Sequence, residues 1–106
     1  MAYGRVRCTL DALVSALCLD YARRREAIEK KSVGRRCETE YKYYNYFIFD
    51  AAAEIVGERL AERYISDIGE HIGYAKTEID CVSEVTYKNY KRMIMDNIAR
   101  KLHLRD

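Results

Sequence analysis

The chain has 106 residues, is 49% hydrophobic and 34% charged, and carries a net charge of only +2. That length fits one domain across residues 1–106. No apolar run approaches the roughly 18–20 residues of a membrane span, and Asp11 and Asp20 interrupt the apolar N-terminal stretch, which argues against a signal peptide. The expectation is a protein of the bacterial cytoplasm with no membrane partner.

The small net charge hides a pattern. Residues 1–37 carry +5, residues 38–81 carry −6 and residues 82–106 carry +3. Basic ends around an acidic middle either attract each other in the fold or present a basic face to phosphate. Proline is absent and glycine appears five times, as expected for helices joined by short turns. The predicted class is all-α, with four to five helices packed around a central aromatic one.

The first predicted helix starts after an N-cap at Thr9. Leu10, Leu13, Val14, Leu17, Cys18, Tyr21 and Ile28 recur at three- and four-residue steps and mark its apolar face. It runs to about Lys31 and ends at Ser32-Val33-Gly34, with Gly34 placed to take a left-handed conformation. Arg23, Arg24, Arg35 and Arg36 belong to the densest positive spots. They point either to a nucleic-acid footprint weakened by salt or to a solvated face pairing with the acidic middle.

The next stretch, YKYYNYFIF at 41–49, holds four of the ten tyrosines and both phenylalanines. As a strand it would have no partner. As a helix it places Tyr41, Tyr44, Ile48, Ala51 and Ile55 on one stripe that continues through the strongly helical AAAEIV. Tyr43, Tyr46 and Phe47 lie off that stripe, so the rings cover most of the circumference. The reading is a core hub, or else a protein interface formed by Tyr43, Tyr46 and Phe47.

Gly57 predicts a kink or break. Glu54, Glu58 and Glu62, four apart, would share a helix face alternating with Arg59 and Arg63, an ion-paired surface rather than a cation site. Leu60, Ala61, Tyr64, Ile65, Ile68 and Ile72 restart the apolar face. The last helix has its stripe in Val85, Tyr87, Tyr90, Ile94, Ile98 and Leu102, with Ser83 or Thr86 as cap.

Between these two helices, ISDIGEHIGYAKTEIDCV at 65–82 resembles the helix-turn-helix of DNA-binding proteins. Gly69 sits where the two helices would touch, Gly73 where they would turn, and Ile68, Ile72, Tyr74, Ile79 and Val82 would fill the angle. The resemblance makes a helix from about Ala75 the major-groove reader, led by Lys76 and Thr77. The tail SEVTYKNYKRMIMDNIARKLHL resembles the end of small phage transcription regulators whose C-terminal part is similar to sigma-factor region four. Ser83, Thr86, Tyr87, Ile98, Ala99, Leu102 and Leu104 carry that likeness. It implies Lys88, Lys91 and Arg92 as phosphate or base contacts.

Catalysis is not expected. There is no glycine-rich phosphate loop, and the four cysteines have neither metal-ligand spacing nor proximity to His71 or His103. The cysteines read as small buried hydrophobes or, less simply, as a disulfide. No cofactor or metal is anticipated. Two functions follow: a homo-oligomeric DNA-binding regulator of a phage or mobile element, or a small inhibitor that docks on a host defence protein or sequesters a nucleotide.

Overall fold

A computed structural model describes residues 2–104, with side chains from Thr9 onward. The described residues form five helices: α1 (Ala2–Leu19), α2 (Tyr21–Glu29), α3 (Arg35–Val56), α4 (Glu58–Gly69) and α5 (Glu84–Lys101). Among the described residues there is no strand, and no helix is long and apolar enough to cross a membrane. The all-α expectation therefore holds.

α1 and α3 each pack on both α4 and α5, while α2 turns back onto α3. The core is built from the apolar stripes: Val14 and Cys18 of α1, Ile48, Ala51 and Ala52 of α3, Ala61, Tyr64, Ile65 and Ile68 of α4, and Tyr87, Ile94 and Ile98 of α5. Each set recurs at three- and four-residue steps, so burying it removes one continuous apolar face per helix from water.

The break positions differ from the sequence reading. Thr9 lies inside α1 rather than capping it. The long first helix is interrupted at Asp20. Gly69 of α4 comes in against that joint, and a Cβ added to it would lie 2.5 Å from the Leu19 backbone nitrogen. So the small residue at 69 does serve a close helix contact, but with the end of α1. At the α2–α3 turn the left-handed residue is Lys31, φ 51°, whereas Gly34 is extended and precedes α3. Gly57, φ 86°, breaks the chain between α3 and α4 as predicted, in a conformation that glycine adopts without strain.

That break also separates the three glutamates: Glu54 belongs to α3, while Glu58 and Glu62 belong to α4. Their partners are distant in sequence. Glu54 accepts hydrogen bonds from Asn97 and Lys101, and Glu62 pairs with Arg25. With Lys101–Asp50 at 2.9 Å, these pairs join the basic ends to the acidic middle, the internal attraction that the charge pattern allowed.

The central aromatic helix needs correction. α3 does touch α2, α4 and α5, but the residues it buries fully are Asn45, Ile48, Ala51 and Ala52, while Tyr44, Phe47 and Phe49 are only partly buried against the core. The most deeply buried tyrosines are Tyr64 and Tyr87, at 1% and 0% exposure, with ring centroids 5.6 Å apart, and Tyr21 is buried at 8%. Cysteines divide too. Cys18 is a buried free thiol, pushed up to about 12 by burial, while Cys37 and Cys81 are free and exposed. Among the described cysteines, Cys37 and Cys81 should react with a disulfide reagent in the native state, and Cys18 only on unfolding.

Gly69→Ala should destabilise the fold by about 1–3 kcal/mol, because the added methyl meets backbone that cannot rotate away. Gly73→Ala, with open space around it, should be close to neutral. Urea denaturation of the two variants checks the contrast.

Candidate functional site

The segment expected to read DNA forms no helix. Residues 70–83 are a loop of turns and irregular backbone, with His71 and Cys81 at positive φ. The cause is a polar knot that holds it extended over α4 and α5. Asp67, buried at the end of α4, accepts a hydrogen bond from the Tyr87 hydroxyl at 2.7 Å and another from Thr77. Thr77 Oγ1 in turn accepts the Ile79 N–H, which sets Ile79 into the core at 6% exposure. Lys91 Nζ donates to the Ile72 carbonyl at 2.6 Å and lies 5.2 Å from the Tyr87 ring centroid. Tyr74 donates to the Val82 carbonyl, closing the loop on itself. These bonds satisfy loop backbone that a short helix would otherwise have satisfied internally.

Four of the nine expected nucleic-acid contacts, Arg24, Thr77, Lys91 and Arg92, are spent inside the protein. Thr77 and Lys91 belong to the knot. Arg92 makes a two-pronged bond to Asp11 at 2.9 and 2.7 Å and reaches Asp96 at 3.1 Å, clamping α5 to α1. Its pKa is raised, first by the hydrogen bond to Asp11. Arg24 is 4% exposed. Its Nε donates to Asn45 Oδ1 at 2.7 Å and a second nitrogen donates to the Leu17 carbonyl. Burial lowers its pKa, though a guanidinium keeps its charge.

The remaining cations are at the surface but dispersed. Arg23 pairs with Asp20, and Lys88 with Glu84. Lys76 is exposed on the loop, and Arg35 and Arg36 are exposed in the first turn of α3. The last helix is capped as expected: Ser83 Oγ accepts the Thr86 N–H at 3.2 Å, and Arg100 and Lys101 sit in its last turn, where the helix dipole favours positive charge.

The large apolar side chains left outside are Leu13, Leu19, Val85 and Met93, which are aliphatic, and the tyrosines Tyr43, Tyr46 and Tyr74. Tyr43 and Tyr46 are 45% and 66% exposed. Both stand edge-on to the half-buried Phe47, with centroids 5.0 and 5.1 Å away. Their outward position follows from the seams on either side of α3. On one seam Asn45 Nδ2 donates to the Tyr21 carbonyl at 3.1 Å while its Oδ1 receives Arg24. On the other, Asn97 of α5 donates to the Ala51 carbonyl at 3.1 Å. These bonds fix the rotation of α3, so residues 43, 46 and 47 lie away from the buried stripe.

Beside the aromatic face runs a groove of about 610 Å³ between α2, α3 and the start of α4. Tyr21, Tyr46 and Phe49 contribute its rings, and Glu29, Asp50 and Glu58 its carboxylates. Sequence reasoning read Phe49 only as part of the aromatic stretch and Glu58 only as part of an ion-paired face, and did not join them to Glu29, because the three belong to three helices. Only the break at Gly57 lets the first turn of α4 face α2. Among the described residues, no group of three or more His, Cys, Asp or Glu is arranged to hold a metal ion. No protein-family model matches the chain, and neither a curated protein nor a solved structure shows significant similarity to it.

The knot has a pH signature. Burial, then the hydrogen bond to Asp67, pushes the Tyr87 hydroxyl up to about 12 from 10.0. The folded state holds this proton more tightly than the unfolded chain does. Its stabilisation is therefore whole below pH 10 and is lost as pH rises from 10 toward 12. Tyr21, raised to about 12 by burial and Glu62, contributes in the same window. Tyr87→Phe should cost about 1–3 kcal/mol at neutral pH and weaken, without abolishing, the alkaline loss of stability. Urea midpoints measured from pH 7 to 11.5 check both.

Proposed function

We propose that the chain is a non-catalytic binding protein whose partner is another protein, in the manner of a small inhibitor that docks on a host factor. The observation that carries this reading is the outward edge-to-face set of Tyr43, Tyr46 and Phe47. Tyrosine supplies a large, stiff contact area with a polar tip, and aromatic residues are enriched where protein surfaces meet. A chain that holds α3 by two buried asparagines, with these rings outside, has the form of a rigid platform. A preformed platform loses little ordering entropy on binding.

A nucleic-acid reading keeps one supporting feature. Lys31, Arg35 and Arg36 are exposed around the α2–α3 turn, and two of them stand where the α3 dipole is already positive. An anion there would relieve that repulsion. The loop at 70–83 offers no groove-reading helix to go with it, so this reading ranks second.

Photo-crosslinking separates the two. A benzophenone amino acid placed at position 43 or 46 should yield a discrete protein adduct from nuclease-treated bacterial lysate, while the same group at Lys76 should not. The adduct's mass should also identify a second copy of the chain if that is the partner. The reading fails if positions 43 and 46 give no protein adduct and the chain instead binds duplex DNA in a salt-dependent way that Arg35→Glu with Arg36→Glu removes.

A further inference from the structure

The groove beside the aromatic face has a specific chemistry, and it extends a pattern used inside the protein. Each of the three α2 arginines lies over a tyrosine ring: Arg23 is 5.9 Å from the Tyr41 centroid, Arg24 is 5.8 Å from Tyr44 and Arg25 is 5.9 Å from Tyr21. The seam between α2 and α3 is thus held partly by guanidinium groups on ring faces. The groove continues along that seam. Of its three rings, Tyr21 already lies under Arg25, while Tyr46 and Phe49 have no such cation over them among the described residues.

The charges around those rings do not balance. The groove's own cations are committed outside it: Arg25 bonds Glu62, and Lys42 faces Glu38 at 3.9 Å. Asp50 is engaged by Lys101 at 2.9 Å. Glu29 and Glu58 are exposed and form no salt bridge among the described residues, though Glu29 feels the field of Arg25. Glu58 stands in the first turn of α4. Two carboxylates without a salt-bridge partner, lining the same groove as two rings without a cation, complement a planar cation. A guanidinium satisfies both features at once, stacking on the ring and forking onto a carboxylate, whereas an ammonium is a compact, strongly hydrated point charge. The volume, about 610 Å³, accommodates a whole arginine side chain and its neighbours.

We infer that this groove receives an arginine side chain, so that the docking partner presents a basic, arginine-bearing segment to the chain. The inference rests on the protein-docking reading and names the chemistry of that partner. Tyr46 belongs to both surfaces: its ring meets Phe47 in the aromatic platform and also lines the groove. The partner's segment would run from the platform into the groove, burying its arginine between α2 and α4.

The test uses the full chain and a set of eight-residue Gly/Ser peptides carrying two arginines, two lysines or two citrullines. Binding is followed by amide and side-chain NMR shifts. The arginine peptide should move the resonances of Phe49, Glu29 and Glu58 saturably, while citrulline, which keeps the shape but lacks the charge, should bind at least tenfold more weakly. The lysine peptide should fall between them. Glu29→Gln with Glu58→Gln should weaken the arginine peptide about tenfold, and Tyr46→Ala by about three- to tenfold. All these positions are exposed, and circular dichroism confirms that the variants fold. The inference is overturned if the arginine peptide gives no saturable shifts at the groove, or if the double glutamine variant binds it as well as the native chain. If crosslinks from positions 43 and 46 still capture a protein while the peptide fails, the docking reading stands and only the arginine assignment falls. Absence of both removes the two together.

Discussion

The bond from Arg24 to Asn45 is the constraint on which the surface of this protein depends. Both side chains are nearly inaccessible, at 4% and 9% exposure, and an arginine so placed is tolerated only with its donors satisfied. Asn45, the Leu17 carbonyl and the Tyr44 ring supply that satisfaction. Because Asn45 also holds the Tyr21 carbonyl, α3 cannot rotate about its axis without stranding a buried charge. Successive helical residues lie about 100° apart, so a shift of one residue would carry Asn45 off the seam and turn aromatic residues inward. The outward Tyr43 and Tyr46 are thus a consequence of a buried cation some turns of chain away.

The same logic organises the other half of the molecule. Asp67, Thr77, Tyr87 and Lys91 replace a short helix with a tied loop, and Arg92 joins α5 to α1 through Asp11. In each case a polar side chain that might have faced a partner is used to close the fold. For a chain of this size that is a reasonable economy of structure. The apolar core is small, and buried polar bonds restrict the number of ways it can pack.

Much of the fold was legible in sequence because the helix stripes are regular. Ile48, Ala51, Tyr64, Ile65, Ile68, Tyr87, Ile94 and Ile98 were on the right faces, Gly57 broke the chain where its conformational freedom suggested, and Ser83 capped the last helix. The failures share a cause. Gly69 and Gly73 have the spacing of a helix-turn-helix, but Gly69 answers to Leu19 and the loop answers to Asp67, and neither partner is near in sequence. Arg24 and Arg92 look like surface cations in any local window. Only tertiary contact shows that one is buried under α3 and the other clamped to Asp11. The aromatic stretch is similar. Its stripe could be found by periodicity, yet whether the off-stripe rings were hub or surface depended on how much of α3 its neighbours cover. The groove was invisible, since its rings and carboxylates come from three helices.

The central claim is that α3 turns Tyr43 and Tyr46 to solvent while Tyr64 and Tyr87 lie fully buried in the core. Limited ring nitration of the native protein, read residue by residue by peptide mass spectrometry, tests this most directly. The account predicts early modification of Tyr46 and Tyr43, with Tyr64 and Tyr87 untouched until the chain unfolds. Protection of Tyr43 and Tyr46 equal to that of Tyr87 in the monomeric protein would contradict it.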